Sequence, residues 1–338
     1  MALHIRGLQR GELDGFLTCF QAAFGVDDQS LAIVRSSLVN DPYFQPDRVR
    51  VGVLDGMVVC HAVVLHRAAY VGGQVVTVAG ITAVATHPYY QGRGLGTRVM
   101  QDTMRLVRRR GYDLAKHTTR APRFFARLGF REVLKVDGFA CPAAALARLE
   151  LAHPCRVERL HYEHHWPALA AIYHQYSQGR TGMQVRDMRC WETWPRRGTF
   201  PYGFSSHLDA NGFVGLADGR LIAYLASYSP PEQRQLVVTD IAHLPGQEEA
   251  AATLLREAAQ RFIAHGPGRT RLQVSGGAPL LALLQARGVP LEVEVGPGLM
   301  VAITNPRWLR PAGFRDAEEA VERLFRGPEP TLWYRDGY

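Results

Sequence analysis

Apolar positions along the 338-residue chain change their period in a recognisable order. Residues 74–87, QVVTVAGITAVATH, are rich in β-branched side chains and predict a strand, which Pro88 ends by withdrawing a backbone donor. Beyond a glycine-rich stretch, Leu95, Val99, Met100, Met104 and Val107 recur at helical spacing, and Arg108 to Arg110 before Gly111 suit a helix C-terminus. The chain therefore passes from strand to bare loop to amphipathic helix.

The pattern also repeats. VGVLDGMVVCHAVV (51–64) is echoed by VGLADGRLIAYLAS (214–227), each reading as strand, tight turn, strand, with Asp55-Gly56 and Asp218-Gly219 at the turns. Downstream of each turn come a second strand, a long amphipathic helix, another strand, a short helix, and a lone glycine before an apolar residue: Gly129-Phe130 and Gly288-Val289. The expectation is a duplicated α/β (α+β) domain with a degenerate second copy. The first copy is placed at residues 1–145 and the second at 155–305. A tail, 306–338, contains RDAEEAVERLFRG, whose Val321, Leu324 and Phe325 mark a short amphipathic helix that packs on an unnamed surface.

Composition narrows the function classes. Apolar residues make up 47% and charged ones 21%, and no stretch approaches the roughly 18 apolar residues of a membrane span, so a soluble protein with no membrane partner is expected. The N-terminus lacks a basic segment followed by an apolar core, which gives a cytoplasmic location as the default. Cys19, Cys60, Cys141, Cys155 and Cys190 form no C-x-x-C pair and read as reduced, buried thiols. The 39 basic residues exceed the 31 acidic ones, but they are spread along the chain, which speaks against nucleic acid and suits a small polyanion.

The glycine-rich stretch offers a place for that anion. In HPYYQGRGLG the loop feeds a helix N-terminus, where unpaired N–H groups and the positive dipole end attract negative charge, and glycines let a phosphate reach the main chain. Arg93 adds charge. The spacing is not G-x-G-x-x-G, and no Lys-Ser or Lys-Thr follows, so dinucleotide and nucleoside-triphosphate fingerprints are excluded. A purely structural glycine turn remains open at this point.

ITAVATHP followed by QGRGLG resembles the acyl-CoA signature of the GNAT N-acetyltransferase superfamily, Q/R-x-x-G-x-G/A, with Gln91, Gly94 and Gly96 in the defining places. RFFARLGF (123–130) resembles the short helix and Gly-Phe that follow the fifth strand there. The resemblance implies an N-acyltransferase that moves an acetyl or other acyl group from acyl-CoA to an amine. It also implies two tandem GNAT-type domains, each a mixed, mostly antiparallel sheet flanked by helices, with the fourth and fifth strands splayed around the pantetheine arm. By that likeness Val84, Ala85 and Thr86 would contact pantetheine, and the stretch from Gln91 through Gly92, Arg93, Gly94, Leu95 and Gly96 to Thr97 would hold the pyrophosphate. In the second copy PGQEEAAATLL puts Glu248 and Glu249 where the loop stood, so it is expected to keep the fold and to have lost the cofactor. GRTGMQVRDMRCWETW (179–194) resembles the opening of the second half of tandem proteins such as mycothiol synthase and the enhanced-intracellular-survival acetyltransferases. The third, sterol-carrier-like domain of the latter is not expected in residues 306–338.

Acyl transfer calls for a neutral amine, an oxyanion stabiliser and an acid for the leaving thiolate. The tyrosine common in that family is replaced by Phe125, and by Leu284 in the second copy, and neither donates a proton. His117 and Thr118, at the end of the fifth strand, are the catalytic candidates; the alternative is that they face solvent or cap the next helix, for which Thr119 is also placed. His87 reads as a strand-end contact and Asp41, before Pro42, as a base or a turn residue. His161, His164 and His165 could lie on one helical face, as ligands or as surface residues; no metal is expected. Trp191, Trp194, Tyr202 and Phe204 suggest a core or a substrate wall. Two other functions stay open: an acyl-CoA sensor or inactive relative, and a GNAT-like acyl-thioester decarboxylase. The second copy is expected to shape the acceptor cleft; the acceptor itself and the oligomeric state are not legible.

Overall fold

The computed structural model describes residues 3–197, 212–229, 234–272 and 279–325. In chain order its strands are β1 (His4–Gly7), β2 (Val49–Leu54), β3 (Met57–Val71), β4 (Gln74–Thr86), β5 (Leu114–Thr118), β6 (Arg131–Pro142), β7 (Arg156–Arg159), β8 (Phe213–Ala217), β9 (Arg220–Tyr228), β10 (Gln235–His243), β11 (Arg269–Leu272) and β12 (Glu292–Ile303). The helices are α1 (Leu13–Phe24), α2 (Asp28–Val39), α3 (Leu95–Arg109), α4 (Pro122–Ala126), α5 (Ala143–Ala147), α6 (Tyr162–Ser177), α7 (Met188–Arg197), α8 (Glu248–Ile263), α9 (Pro279–Ala286) and α10 (Ala317–Phe325).

The duplication is visible in backbone detail. Asp55 and Gly56 have φ of 49° and 76°, and Asp218 and Gly219 have 50° and 74°, so both hairpins turn through two left-handed residues, as strand twist prefers. Both hairpins carry a register shift at a glycine, after Gly52 and after Gly215. At Gly52 a Cβ would sit 2.4 Å from Cys60 Sγ, and at Gly215 it would sit 2.8 Å from Cys155 Sγ. Both short helices close with the same long bond after a left-handed glycine: Phe130 N to Phe125 O at 3.3 Å and Val289 N to Leu284 O at 3.0 Å.

The two copies share one mixed, mostly antiparallel sheet of twelve strands among the described residues, in the order β1-β2-β3-β4-β5-β12-β6-β11-β10-β9-β8-β7. Only β4 with β5 and β10 with β11 are parallel. Each half is completed by the other: β12, the last strand, lies beside β5, and β6 lies beside β11. The first half of the chain therefore does not close its own sheet.

Helices cover both faces. The apolar stripe of α3 buries Leu95, Val99, Met100, Met104 and Val107 as its spacing predicts, part of it against Ala62, Val64, Ile81, Phe125 and Met300. α1 and α2 cover the opposite face through Phe16, Leu17 and Leu38 on Val49, Val51 and Val63. The tail has a partner that sequence could not name. Val321, Leu324 and Phe325 of α10, with Trp308 and Phe314, pack over Val78, Leu114, Leu299 and Val301, at the seam between the two halves. Residues 182–185 run beside β3, with Tyr70 N bonded to Met183 O at 2.9 Å and Val185 N to Ala68 O at 2.8 Å. All five cysteines are free, four of them buried and Cys155 half-buried.

Candidate functional site

β4 ends at Thr86, Pro88–Tyr90 makes one turn of 3₁₀ helix, and the chain enters α3 at Leu95. Gly92 and Gly94 have φ of 75° and 73°, and a Cβ added to either would meet nothing within 4 Å, so the loop presents a bare, open backbone. Gly96 has a different reason: its Cβ would stand 3.1 Å from Thr86 Oγ1, so it lets the helix lie close on the strand. α3 has no side-chain cap at its N-terminus. The loop is braced by Gln91 Nε2 on the Thr86 carbonyl at 3.2 Å and by Arg93, which bonds the Tyr89 carbonyl at 3.3 Å and lies over the Tyr89 and Tyr90 rings. Arg93 and Arg98 are exposed beside it. Uncapped N–H groups, open space and two cations are what a diphosphate requires. The residues present fit the pyrophosphate of an acyl-CoA.

Beside this loop β4 and β5 part. Their ladder pairs Val78, Ala79 and Gly80 with Leu114, Ala115 and Lys116 and then stops. At the next position a side chain replaces the rung: His117 Nδ1 donates to the Ile81 carbonyl at 2.6 Å. On the other edge the β3–β4 register shifts between His61 and Val63, and Ala83 takes φ 47°, a left-handed value that costs a residue with a Cβ about 1–2 kcal/mol. His61 Nδ1 donates to the Ala83 carbonyl at 2.7 Å. Sequence reasoning missed His61 and the bulge; the signal was the internal alignment, which matches His61 with Tyr224 and, counting back from Pro88 and Pro245, Ala83 with Asp240.

Of the expected residues, Val84 and Thr86 are half-buried, and Ala85 is buried and pairs with His61. His117 is buried with its ring 4.2 Å from that of Phe125. Burial holds its pKa below the ordinary histidine value, against the bond to Ile81 that raises it. With the Nδ1 proton committed to that carbonyl, the neutral ring carries its lone pair on Nε2 and accepts a proton rather than gives one. Thr118 is exposed at the end of β5 and pairs with Leu299 of β12. Thr119 does not cap α4 directly; its Oγ1 accepts from Ala121 N at 2.9 Å in a short turn. Thr119 N donates to Gly298 O at 2.8 Å, and a Cβ on Gly298 would collide with the Thr119 carbonyl at 2.0 Å. The second copy thus supplies the strand bordering His117 and Thr118.

The other candidates are occupied. Asp41 closes a turn by accepting from Tyr43 N at 2.8 Å and forms a buried ion pair with Arg67 at 2.5 Å. His87 accepts from Tyr89 N at the strand end. His165 Nδ1 accepts from the backbone N–H of His161, which ties the start of α6, and no cluster of metal-binding side chains occurs among the described residues. Trp191 is core, edge-on to Tyr173. The side chain of Trp194, and Tyr202 and Phe204 altogether, lie outside the described residues.

At the matching place in the second copy the first turn of α8, which likewise has no side-chain cap, carries carboxylates in place of the open glycine loop. Glu249 of α8 accepts from His153 N at 2.7 Å and pairs with Arg287 at 2.8 Å, and the His153 bond is the first cause of its lowered pKa. Asp240, opposite Ala83 in the alignment, is buried with Arg186 at 2.5 Å and accepts from the Tyr224 hydroxyl at 3.1 Å.

Residues 4–133 match the family model of the acetyltransferase (GNAT) domain. None of the curated proteins matches the sequence. Among solved structures the chain is similar to a probable N-acyltransferase from Enterococcus faecalis V583 at 12% identity, with TM-score 0.70 over 91% of this chain and 75% of that one. It is also similar to a GCN5-related N-acetyltransferase from Kribbella flavida, at 20% identity and TM-score 0.64 over 89% and 70%. A third, Eis1 from Mycobacterium abscessus, has 17% identity and TM-score 0.61 over 92% and 76%. At these identities the likeness is one of fold. No described helix is long and apolar enough to cross a membrane.

Proposed function

We propose that this chain, whose residues 4–133 match the acetyltransferase (GNAT) domain, is an N-acyltransferase that takes its acyl group from an acyl-CoA, acetyl-CoA being the first to try, and gives it to an amine. One observation carries this reading: the open Gly92–Gly94 loop at the uncapped start of α3 lies beside the place where β4 and β5 part. An acyl-CoA would supply a thioester, whose carbonyl carbon forms a bond to the amine nitrogen as the carbon–sulfur bond breaks, the amine losing one proton and the thiolate gaining one.

The chain's own residues divide this work. Amides from Gly92 to Thr97, with Arg93, hold the diphosphate, Gln91 braces the loop, and the β4 backbone from Val84 through Ala85 to Thr86 lines the pantetheine arm. His117 Nε2 accepts the proton that the amine loses. Phe125, buried with its ring against His117, donates nothing, so the thiolate takes its proton from solvent. General acid catalysis is typically worth about a hundredfold to ten-thousandfold in rate, and its absence predicts slow turnover. The second copy, through β12 and Gly298, borders the acceptor side of the cleft; the acceptor is a small-molecule amine.

The lack of a donor at Phe125 is also what a protein that binds acyl-CoA without turning it over would show. Thiol release from acetyl-CoA across a panel of polyamines, amino acids and aminoglycosides separates the two. Amine-dependent release supports transfer. Tight binding with no release from any amine supports the sensor, and carbon dioxide from malonyl-CoA supports a decarboxylase in which His117 and Thr118 face the thioester.

A further inference from the structure

His61 is fully buried on β3, its ring centroid 4.3 Å from that of Phe16 and 6.2 Å from that of Phe20. Its Nδ1 is bonded to the Ala83 carbonyl, and its Nε2 is buried with no hydrogen-bond partner. An imidazole nitrogen left so is a standing cost to stability that an apolar side chain would avoid. Ala83 carries a second cost: among the described residues only three non-glycine positions have positive φ, and the other two are the hairpin aspartates. Both costs fall on one hydrogen bond, and that bond holds the β4 bulge where β4 leaves β5. Strain of this kind survives where surrounding structure fixes it and clusters at sites of function.

The bond has a directional effect. Before the bulge the carbonyls of Thr77 and Ile81 point to the β5 edge, where Asp113 N and His117 take them. Regular alternation would point the Ala83 carbonyl the same way, into the opening between the strands. The bulge turns it instead to His61, on the β3 side. A carbonyl oxygen is thereby withdrawn from a wall that would face the oxygen of a thioester, where it would repel the charge that develops there. The second copy serves as an internal control. Tyr224 stands in the place of His61 and bonds the Asp240 carboxylate, Asp240 has no positive φ, and the β10 bulge falls between Val238 and Asp240.

We propose that His61 is a positioning residue for the acyl group: by holding the Ala83 carbonyl out of the cleft, it gives β4 a wall that accepts the thioester carbonyl. The inference rests on the cleft being the acyl-CoA site, and its test separates the two. Acetyl-CoA and CoA are titrated by calorimetry into the wild type, His61→Leu and His61→Asn. His61 pairs with Ala85 on the β4 backbone that lines the pantetheine arm, which CoA and acetyl-CoA share, so any shift of that backbone in the variants weakens both ligands alike and the ratio of the two affinities reads the acyl group alone. The wild type prefers acetyl-CoA by about fivefold, the worth of roughly one hydrogen bond; His61→Leu loses that preference, and His61→Asn, which keeps a donor near the Nδ1 position, restores it. A preference unchanged in His61→Leu, absent in the wild type, or lost equally in both variants overturns the role of His61. Failure of the wild type to bind CoA at all overturns the cleft assignment and this inference with it.

Discussion

Two helices begin at matching places in the two copies and treat their N-termini in opposite ways. Neither has a side-chain cap, but α3 opens with left-handed glycines and exposed arginines. α8 opens with Glu248 and Glu249, and Glu249 is bound to His153 and Arg287 of the same copy. The positive end of one helix faces open space, and that of the other has two carboxylates of its own first turn beside it. The strands next to them differ in the same sense: β4 keeps a strained bulge pinned by a histidine, while β10 places the Arg186–Asp240 pair at the corresponding point. Both copies keep the same scaffold, and the substitutions that distinguish the open loop from its charged counterpart are few and local.

The largest effect that sharpens this contrast belongs to the second copy. Asp240→Ala leaves the buried Arg186 without its carboxylate and is expected to destabilise the protein by about 3–5 kcal/mol, read from urea denaturation, while the folded fraction binds CoA as before. The same change weakening CoA binding would mean that the two sites are coupled.

Next is the pH dependence of the pinned bulge. Burial pushes His61 down to about 4, and His66 as well. A histidine depressed in the folded state binds its proton more readily unfolded, so its contribution is complete above pH 6.5 and is lost as pH falls toward 4. For His61 alone this is on the order of 3 kcal/mol. Denaturation midpoints at pH 7, 5.5 and 4.5 should fall steeply for the wild type and less for His61→Asn; equal slopes would place the titration elsewhere.

Third, Gly94→Glu puts a Cβ on a left-handed backbone and a carboxylate in the open loop. It should weaken CoA binding by a hundredfold or more, ~2.7 kcal/mol, beyond the roughly 1–2 kcal/mol of folding stability that the left-handed backbone costs. The smallest effect is that of Glu249→Gln, which loosens a partly exposed pair and should cost about 0.5–1 kcal/mol after solvent screening while leaving CoA affinity untouched.

Much of this was legible in the chain. Asp-Gly turns, the α3 stripe, the glycine loop and the paired Gly129-Phe130 and Gly288-Val289 positions are local signals, set by backbone conformation and short-range spacing, and they appear in the structure where the sequence places them. The exchange of β6 and β12 was not legible, because either strand satisfies the same apolar and ladder requirements beside β5 or β11, and pattern does not record which of two equivalent edges a strand joins. The seat of α10 was hidden for a related reason: an amphipathic face says that it is covered, not by what. His61 was invisible because its role comes from a carbonyl turned by a bulge in a neighbouring strand, and Asp41 read as a candidate base only until its buried partner, Arg67, was in view.

The central claim is that one copy binds acyl-CoA and the other does not. Its most direct test is calorimetric titration of acetyl-CoA into the wild type, Gly94→Glu and the double variant Glu248→Gly/Glu249→Gly. One site per chain is expected in the wild type, lost in Gly94→Glu and neither lost nor doubled in the double variant. No binding, two sites in the wild type, or one site indifferent to Gly94→Glu would contradict it.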